Sequence, residues 1–344
     1  MLAGICKLVY YSIQKNINNQ GKLMLSTDEI KQPYWPTLKL ILSSLIVFSF
    51  YLKQSQIHDF SLLINVFDLT LIPMFVFIVA FISKKGTWES WRNNLLAALV
   101  IYGTFQTIDM IPLYYSGQFD LNTYLIFPQN GVWFFLATPI WQAFFLLLPS
   151  YIKNNKLILL SLLFVSVLLS YITKGYETKL STFFAIVQYF PFFIIAYLVD
   201  QRAIAKFKGK SPLVIILLSL LSLYILYYYS YVNSFFIKKL ELNILIVNLI
   251  TYIISLLVGV ILSAGIISVA PTTPKYASIA NNALGIYLIH PIICFILLQG
   301  IVFFHLSLTF PMVLALTVIT ISLSLLLASI KMIHWFISPT FNAR

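Results

Sequence analysis

Charged side chains are scarce in this chain. They make up 9% of its 344 residues, against about a quarter in an ordinary soluble domain. Ten residues are acidic, and the two cysteines, Cys6 and Cys294, stand far apart with no metal or redox spacing. A chain this poor in charge cannot cover a globular surface with polar groups. A bilayer tolerates such a surface, because each helix satisfies its own backbone polar groups. A glycine-rich phosphate loop, a Ser/His/Asp arrangement and a metal-ligand spacing are all missing, so the familiar soluble catalytic motifs are excluded.

What is present is hydrophobic: 60% of the residues. A membrane-spanning helix needs roughly 20 mostly apolar residues. Segments of that kind run Thr37–Leu52, Leu62–Ile82, Asn94–Leu113, Gly131–Tyr151, Leu157–Ile172, Thr182–Val199, Pro212–Val232, Ile244–Ala270, Ala283–Phe304 and Thr309–Phe336. The pattern predicts an all-α polytopic integral membrane protein with about ten transmembrane helices. Residues 1–36 form an amino-terminal segment, 37–337 one membrane domain and 338–344 a tail. The run Leu2–Ile13 lacks the form of a cleavable signal and is read as a short interfacial helix, with Lys7 and Lys15 at the headgroups.

The net charge of +12 raises the question of nucleic acid. No basic run is interleaved with aromatics in the manner of single-strand binders, and nucleic acid is not an expected partner. The positive charge instead reads as an orientation signal. With the amino terminus inside, 16 of the 22 Lys and Arg residues fall in cytoplasmic segments and 5 in outer loops, with Lys39 inside the first span. That asymmetry places both termini in the cytoplasm.

Ionisable residues within spans are costly, and their default reading is functional. His290 lies about seven residues into the ninth segment, roughly 10 Å deep at 1.5 Å per residue. Helical spacing puts Ala283, Tyr287, His290 and Cys294 on one face. Pro291 lacks an N–H, so the Tyr287 carbonyl loses its helical partner and a kink is expected. A phenol, an imidazole and a free carbonyl make a candidate polar pocket, with His290 as a base for a hydroxyl. Packing between helices is the competing reading of the same imidazole. Lys39, in the first turn of its span, is explained equally by snorkelling to the headgroups. Asp68 and Asp109 lie near outer helix ends, where solvation is the ordinary state. Trp133, Trp141 and Trp335 suit an interfacial aromatic belt.

The run Asn282-Ala-Leu-Gly-Ile-Tyr-Leu-Ile-His290-Pro291 resembles the late-helix signature of the acyltransferase-3 membrane family. The closest likeness is to its polysaccharide O-acetylase branch, the fucose-4-O-acetylase-like and intercellular adhesion protein C-like proteins. Ile72-Pro73-Met74-Phe75-Val76-Phe77 with Ser83-Lys84-Lys85, Gly131-Val-Trp133-Phe-Phe-Leu136, Phe190-Pro191-Phe192-Phe193 and Ser338-Pro339 resemble further segments of that family, in the family's order. The likeness covers about residue 33 to the carboxyl end. It implies transfer of an acyl group, usually acetyl, from acyl-CoA to a hydroxyl of a surface polysaccharide or its lipid-linked precursor, without a metal. It also implies a bacterial plasma-membrane location beside polysaccharide-synthesis glycosyltransferases. His290 is then the catalytic residue, and Lys39, Tyr287, Asn282, Trp133 and Asp68 are the substrate-binding candidates.

The chain departs from the family at a telling place. The family's first helix carries a basic residue, ten intervening residues and a catalytic His; here the spacing reads Lys39, ten residues, Phe50. A phenyl ring accepts no proton. Val79, Ala80 and Ala196 also stand where the family has polar or glycine residues, and Ala185 is the counterpart of an Arg ahead of the Phe190–Phe193 segment. Two readings follow: an O-acyltransferase whose chemistry rests on His290, and a non-catalytic relative that aids export of a lipid-linked or nascent polysaccharide. A polysaccharide polymerase or flippase is the third alternative. It calls for a large charged outer loop or several charges within the spans, and the sequence has neither.

Overall fold

The structure is a computed structural model that describes residues 34–55, 60–84, 86–174, 181–204, 212–228, 243–271 and 277–341. The expected interfacial helix over Leu2–Ile13, and most of the amino-terminal segment with it, lies outside the described residues.

Every regular element among the described residues is helical. In chain order these are α1 (Trp35–Gln54), α2 (Ser61–Ser83), α3 (Trp88–Asp109), the short α4 (Ile111–Tyr115) and α5 (Leu121–Ile126), α6 (Trp133–Leu147) and the short α7 (Ser150–Asn154). Then come α8 (Lys156–Lys174), α9 (Ser181–Gln188), α10 (Phe190–Leu198), α11 (Pro212–Tyr227) and α12 (Ile244–Val269). The chain closes with α13 (Ala277–Ala280), α14 (Ala283–Phe303), α15 (Phe310–Ser329) and α16 (Lys331–Ile337). Seven of these stretches are long and apolar enough to cross a membrane: α1, α2, α3 continuing through α4, α8, α12, α14 and α15. The remaining three expected spans are shorter helices: α6 with 15 residues, α9 and α10 with 8 and 9, and α11 with 16.

Helix starts follow local chemistry. Proline occupies the first turn of α1, α4, α10 and α15, where its missing N–H costs nothing. Thr87 caps α3 by accepting from the Ser90 N–H at 3.2 Å, and Asp120 caps α5 through Thr123 at 3.0 Å. Tyr189 separates α9 from α10 at the Phe190-Pro191 step.

The core sits where α2 packs against α10 and α12, and where α1, α14 and α15 pack on one another. Close approach there depends on small residues, as in membrane helix packing generally. A Cβ on Gly259 of α12 would lie 2.6 Å from the Leu69 carbonyl of α2, and one on Gly285 of α14 would overlap Ala328 of α15. By contrast, Leu160, Phe164 and Leu169 on α8 and Leu217, Leu220 and Leu221 on α11 are exposed. Rows of large apolar side chains turned outward on long apolar helices suit hydrocarbon, not water. The protein is an all-α, multi-pass membrane protein.

Candidate functional site

The site is built around α14. Pro291 lies inside this helix, and the Tyr287 carbonyl that its missing N–H leaves free is taken up by a side chain. His290 Nδ1 stands 2.8 Å from that oxygen and 3.1 Å from the Ile286 carbonyl. Both neighbours are acceptors, so Nδ1 carries the hydrogen and donates to them. Nε2 is left with its lone pair, the form a general base requires. The imidazole is buried, with Phe50 of α1 edge-on at 6.3 Å between ring centroids and Tyr287 tilted at 6.3 Å.

Tyr287 joins this imidazole to the start of α6. Its hydroxyl donates to the Gly131 carbonyl at 3.0 Å, and a Cβ at position 131 would overlap that hydroxyl. Glycine is therefore required there by close approach. Asn130, the preceding residue, has φ of 45°, a left-handed conformation that asparagine tolerates better than most residues. Its side chain adjoins Asp109. Gln106, one turn earlier on α3, donates to the carbonyls of Tyr124 (3.0 Å) and Phe127 (2.9 Å) and accepts from the Gln129 N–H at 2.9 Å. Gln106 thus fastens residues 124–129 to the end of α3, just before Gly131 meets Tyr287.

Asp109 differs from its expected solvated state. It is 4% exposed, and its Oδ1 is buried with no hydrogen-bond partner among the described residues. The segment from Leu121 to Gly131 folds back over it, which the hydropathy of α3 alone does not reveal. Trp133 and Trp141 differ too: both are buried, where a belt position was expected. Trp133 stacks on Tyr189 at 5.3 Å, and the Trp141 indole N–H donates to the Ile186 carbonyl at 2.9 Å. Trp335, 44% exposed, keeps the outward setting of the expectation.

The remaining candidates do not join His290. Asp68 pairs with Lys53 at 2.5 Å on an exposed surface. Asn282 ends the turn before α14; its backbone carbonyl accepts from the Gly285 N–H at 2.9 Å, and its side chain makes no capping bond. Cys294, on the same face as His290, belongs to a separate buried cluster in which the Tyr51 hydroxyl meets Thr320 at 2.7 Å. Val79 is a wall of the same cavity as Lys39.

Lys39 lines that cavity of about 370 Å³ at the end of the bundle where α1 and α3 begin and α2 and α6 finish. Lys84 and Lys153 line it as well, with Thr87, Ser90, Asn94 and Gln142. In the sequence Lys84 belongs to the Ser83-Lys84-Lys85 run beside an interfacial turn, and no spacing links it with Lys39. Among the described residues no group of three or more His, Cys, Asp and Glu is placed to hold a metal ion. The fit to an acyl-CoA donor rests on this cavity: three ammonium groups and no lining carboxylate suit its phosphates.

No family model, no curated protein and no solved structure matches this chain.

Proposed function

We propose that the chain is a ten-span membrane acyltransferase, with both termini in the cytoplasm of a bacterial cell, that O-acylates a cell-surface or exopolysaccharide. The acyl group is acetyl and the donor acyl-CoA. The observation that supports this reading is the state of His290. Its Nδ1–H is committed to the carbonyls of Ile286 and Tyr287, which leaves Nε2 as the basic nitrogen. In the reaction the acceptor hydroxyl oxygen bonds to the acyl carbon while the C–S bond of the thioester breaks. His290 Nε2 takes the hydroxyl proton and returns it to the departing thiolate. Tyr287 holds the wall of the site through Gly131, and Lys39 supplies a cation on the donor side.

His290→Ala tests the reading. Surface polysaccharide from cells carrying the variant is expected to lose its O-acetyl groups at normal protein levels; unchanged acetate sinks the catalytic role. A second reading draws on Phe50, which presents a phenyl edge to His290. In that reading the chain is non-catalytic and aids export of a lipid-linked or nascent polysaccharide, and His290→Ala lowers the exported polymer and leaves its acetylation alone.

A further inference from the structure

Together α3 and α4 make one stretch of 28 residues, Trp88–Tyr115, which rises roughly 42 Å at 1.5 Å per residue. The hydrocarbon core of a bilayer is about 30 Å thick, so part of this stretch stands beyond it. Arg92, exposed in the first turns of α3, marks one headgroup layer. Counting about 20 residues of hydrocarbon from Asn94 puts the opposite boundary near Leu113. Tyr114 and Tyr115, both exposed, then stand in the far headgroup layer, where tyrosine is favoured.

There the chain turns back. Gly117, with φ of 70°, ends α4; its N–H donates to the Tyr114 carbonyl at 3.1 Å and the Gln118 N–H to the Leu113 carbonyl at 2.9 Å. Glycine takes this left-handed conformation freely. The turn is polar, with Ser116, Gln118 and Asp120 exposed. The helix that follows is not: Leu121 and Leu125 of α5 are 59% and 62% exposed. No Lys or Arg occurs between Arg92 and Lys153.

The depth of α5 follows from its bonds to α3. The Gln106 amide nitrogen donates to the carbonyls of Tyr124 and Phe127, and the hydroxyls of Thr107 and Tyr124 meet at 3.0 Å. Gln106 precedes Leu113 by two turns, so the end of α5 lies roughly 10 Å inside the boundary. The backbone bonding agrees independently. Chain that leaves a helix at membrane depth needs protein partners, because hydrocarbon offers none. Buried Gln106 provides them, spending both N–H groups and its oxygen on residues 124–129. The apolar surface is also continuous. Leu96, Leu99, Gly103 and Thr107 share one exposed face of α3, and Tyr124 joins that face at Thr107.

We propose that residues 114–126 form a re-entrant hairpin seated in one leaflet of the bilayer, the outer leaflet in the orientation proposed above. Tyr114, Tyr115 and the polar turn stand among the headgroups, and Leu121 and Leu125 lie against lipid acyl chains. Gly131 is then delivered to Tyr287 from within the membrane, not from an aqueous loop.

The test uses the full chain in phosphatidylcholine nanodiscs and reads depth, not acyl transfer. On a Cys6→Ser, Cys294→Ala background, Gln118→Cys, Leu121→Cys and Leu125→Cys are each labelled with a nitroxide. Relaxation by oxygen, which concentrates in hydrocarbon, is compared with relaxation by a water-soluble nickel chelate. The oxygen-to-nickel ratio is expected to be tenfold or more higher at position 125 than at 118, with 121 between them. Equal ratios at 118 and 125 overturn the proposal. Shielding of 121 and 125 from both reagents also overturns it and marks a second protein chain as the occupant; nickel access that added polysaccharide blocks does so in favour of a glycan. If the labelled variants fail to fold, hydrogen exchange of the wild type decides. Amides of α5 are expected to exchange as slowly as those of α3, whereas a six-residue helix left in water is marginal and exchange within seconds overturns the assignment.

Discussion

Phe50 of α1 stands edge-on to His290 of α14, with ring centroids 6.3 Å apart and planes at 82°. The position at which the resemblance calls for a first-helix histidine thus adjoins the late-helix histidine, although 240 residues of chain separate them. A histidine at position 50 would put two imidazoles in one site; the phenyl ring leaves one.

That contact makes Phe50→His informative. Under the acyltransferase reading, the added imidazole is expected to raise thioester cleavage in membrane vesicles by tenfold or more, the ordinary contribution of a positioned acid or base being about 10²–10⁴. Release of free coenzyme A thiol measures it. An unaltered rate in a well-folded variant removes Phe50 as the reason for any low activity.

Gly131 and Gly103 give opposite expectations from the same substitution. Alanine at 131 would drive a methyl group into the Tyr287 hydroxyl, and overpacking of this kind costs about 1–3 kcal/mol. Nothing lies within 4 Å of a Cβ on Gly103, in the interior of α3, so Gly103→Ala is expected to stabilise by roughly 0.5–1 kcal/mol. Unfolding in detergent, followed by circular dichroism, separates the two. A neutral Gly131→Ala contradicts the close contact with Tyr287.

Asp68→Asn is expected to change little. Its bond to Lys53 is exposed on both sides, and exposed pairs contribute about 0–1 kcal/mol. The variant should unfold within a degree or two of the wild type and retain acetylation. A large loss of acetylation with normal stability would restore Asp68 to the substrate-binding set.

Lys84 gives the cavity a pH dependence. It lies just past the end of α2, and burial lowers it from 10.5 to about 8, against the opposing pull of Asp200. Lys39, Lys153 and Tyr197 share the cavity wall with it. Below about pH 8 Lys84 is an ammonium; as the pH rises through that value the charge is lost, and affinity for a phosphate should fall. Stability moves the other way. Between about 8 and 10.5 the unfolded chain binds the extra proton, so folding strengthens as the pH rises through that window. Pyrophosphate titrations at pH 7 and 9 check the first effect. An unchanged affinity separates Lys84 from the binding.

Much of the candidate site was legible in the sequence because its parts lie on one helix. Tyr287, His290 and Pro291 share a turn of α14, and the missing proline N–H identifies the free carbonyl without any tertiary contact. The partner of that carbonyl is His290 itself, a local outcome that helical geometry permits but does not dictate. Lys39 and Lys153 sit 114 positions apart, and no periodicity links them. Asp109 looked like a solvated helix end because nothing in α3 announces that residues 124–131 return to cover it. Trp133 and Trp141 looked interfacial because an indole suits a membrane boundary and a packed helix junction equally well.

The sequence by itself determined the solvent of this protein and the elements it uses. Low charge and long apolar runs require helices in a bilayer, because hydropathy and helix capping act within a single stretch of chain. Tertiary structure alone decided which of those helices are neighbours. It set Phe50 against His290, Gly131 against Tyr287 and three lysines around one cavity, since lateral packing turns on small residues such as Gly259 and Gly285, whose partners lie far away in the chain.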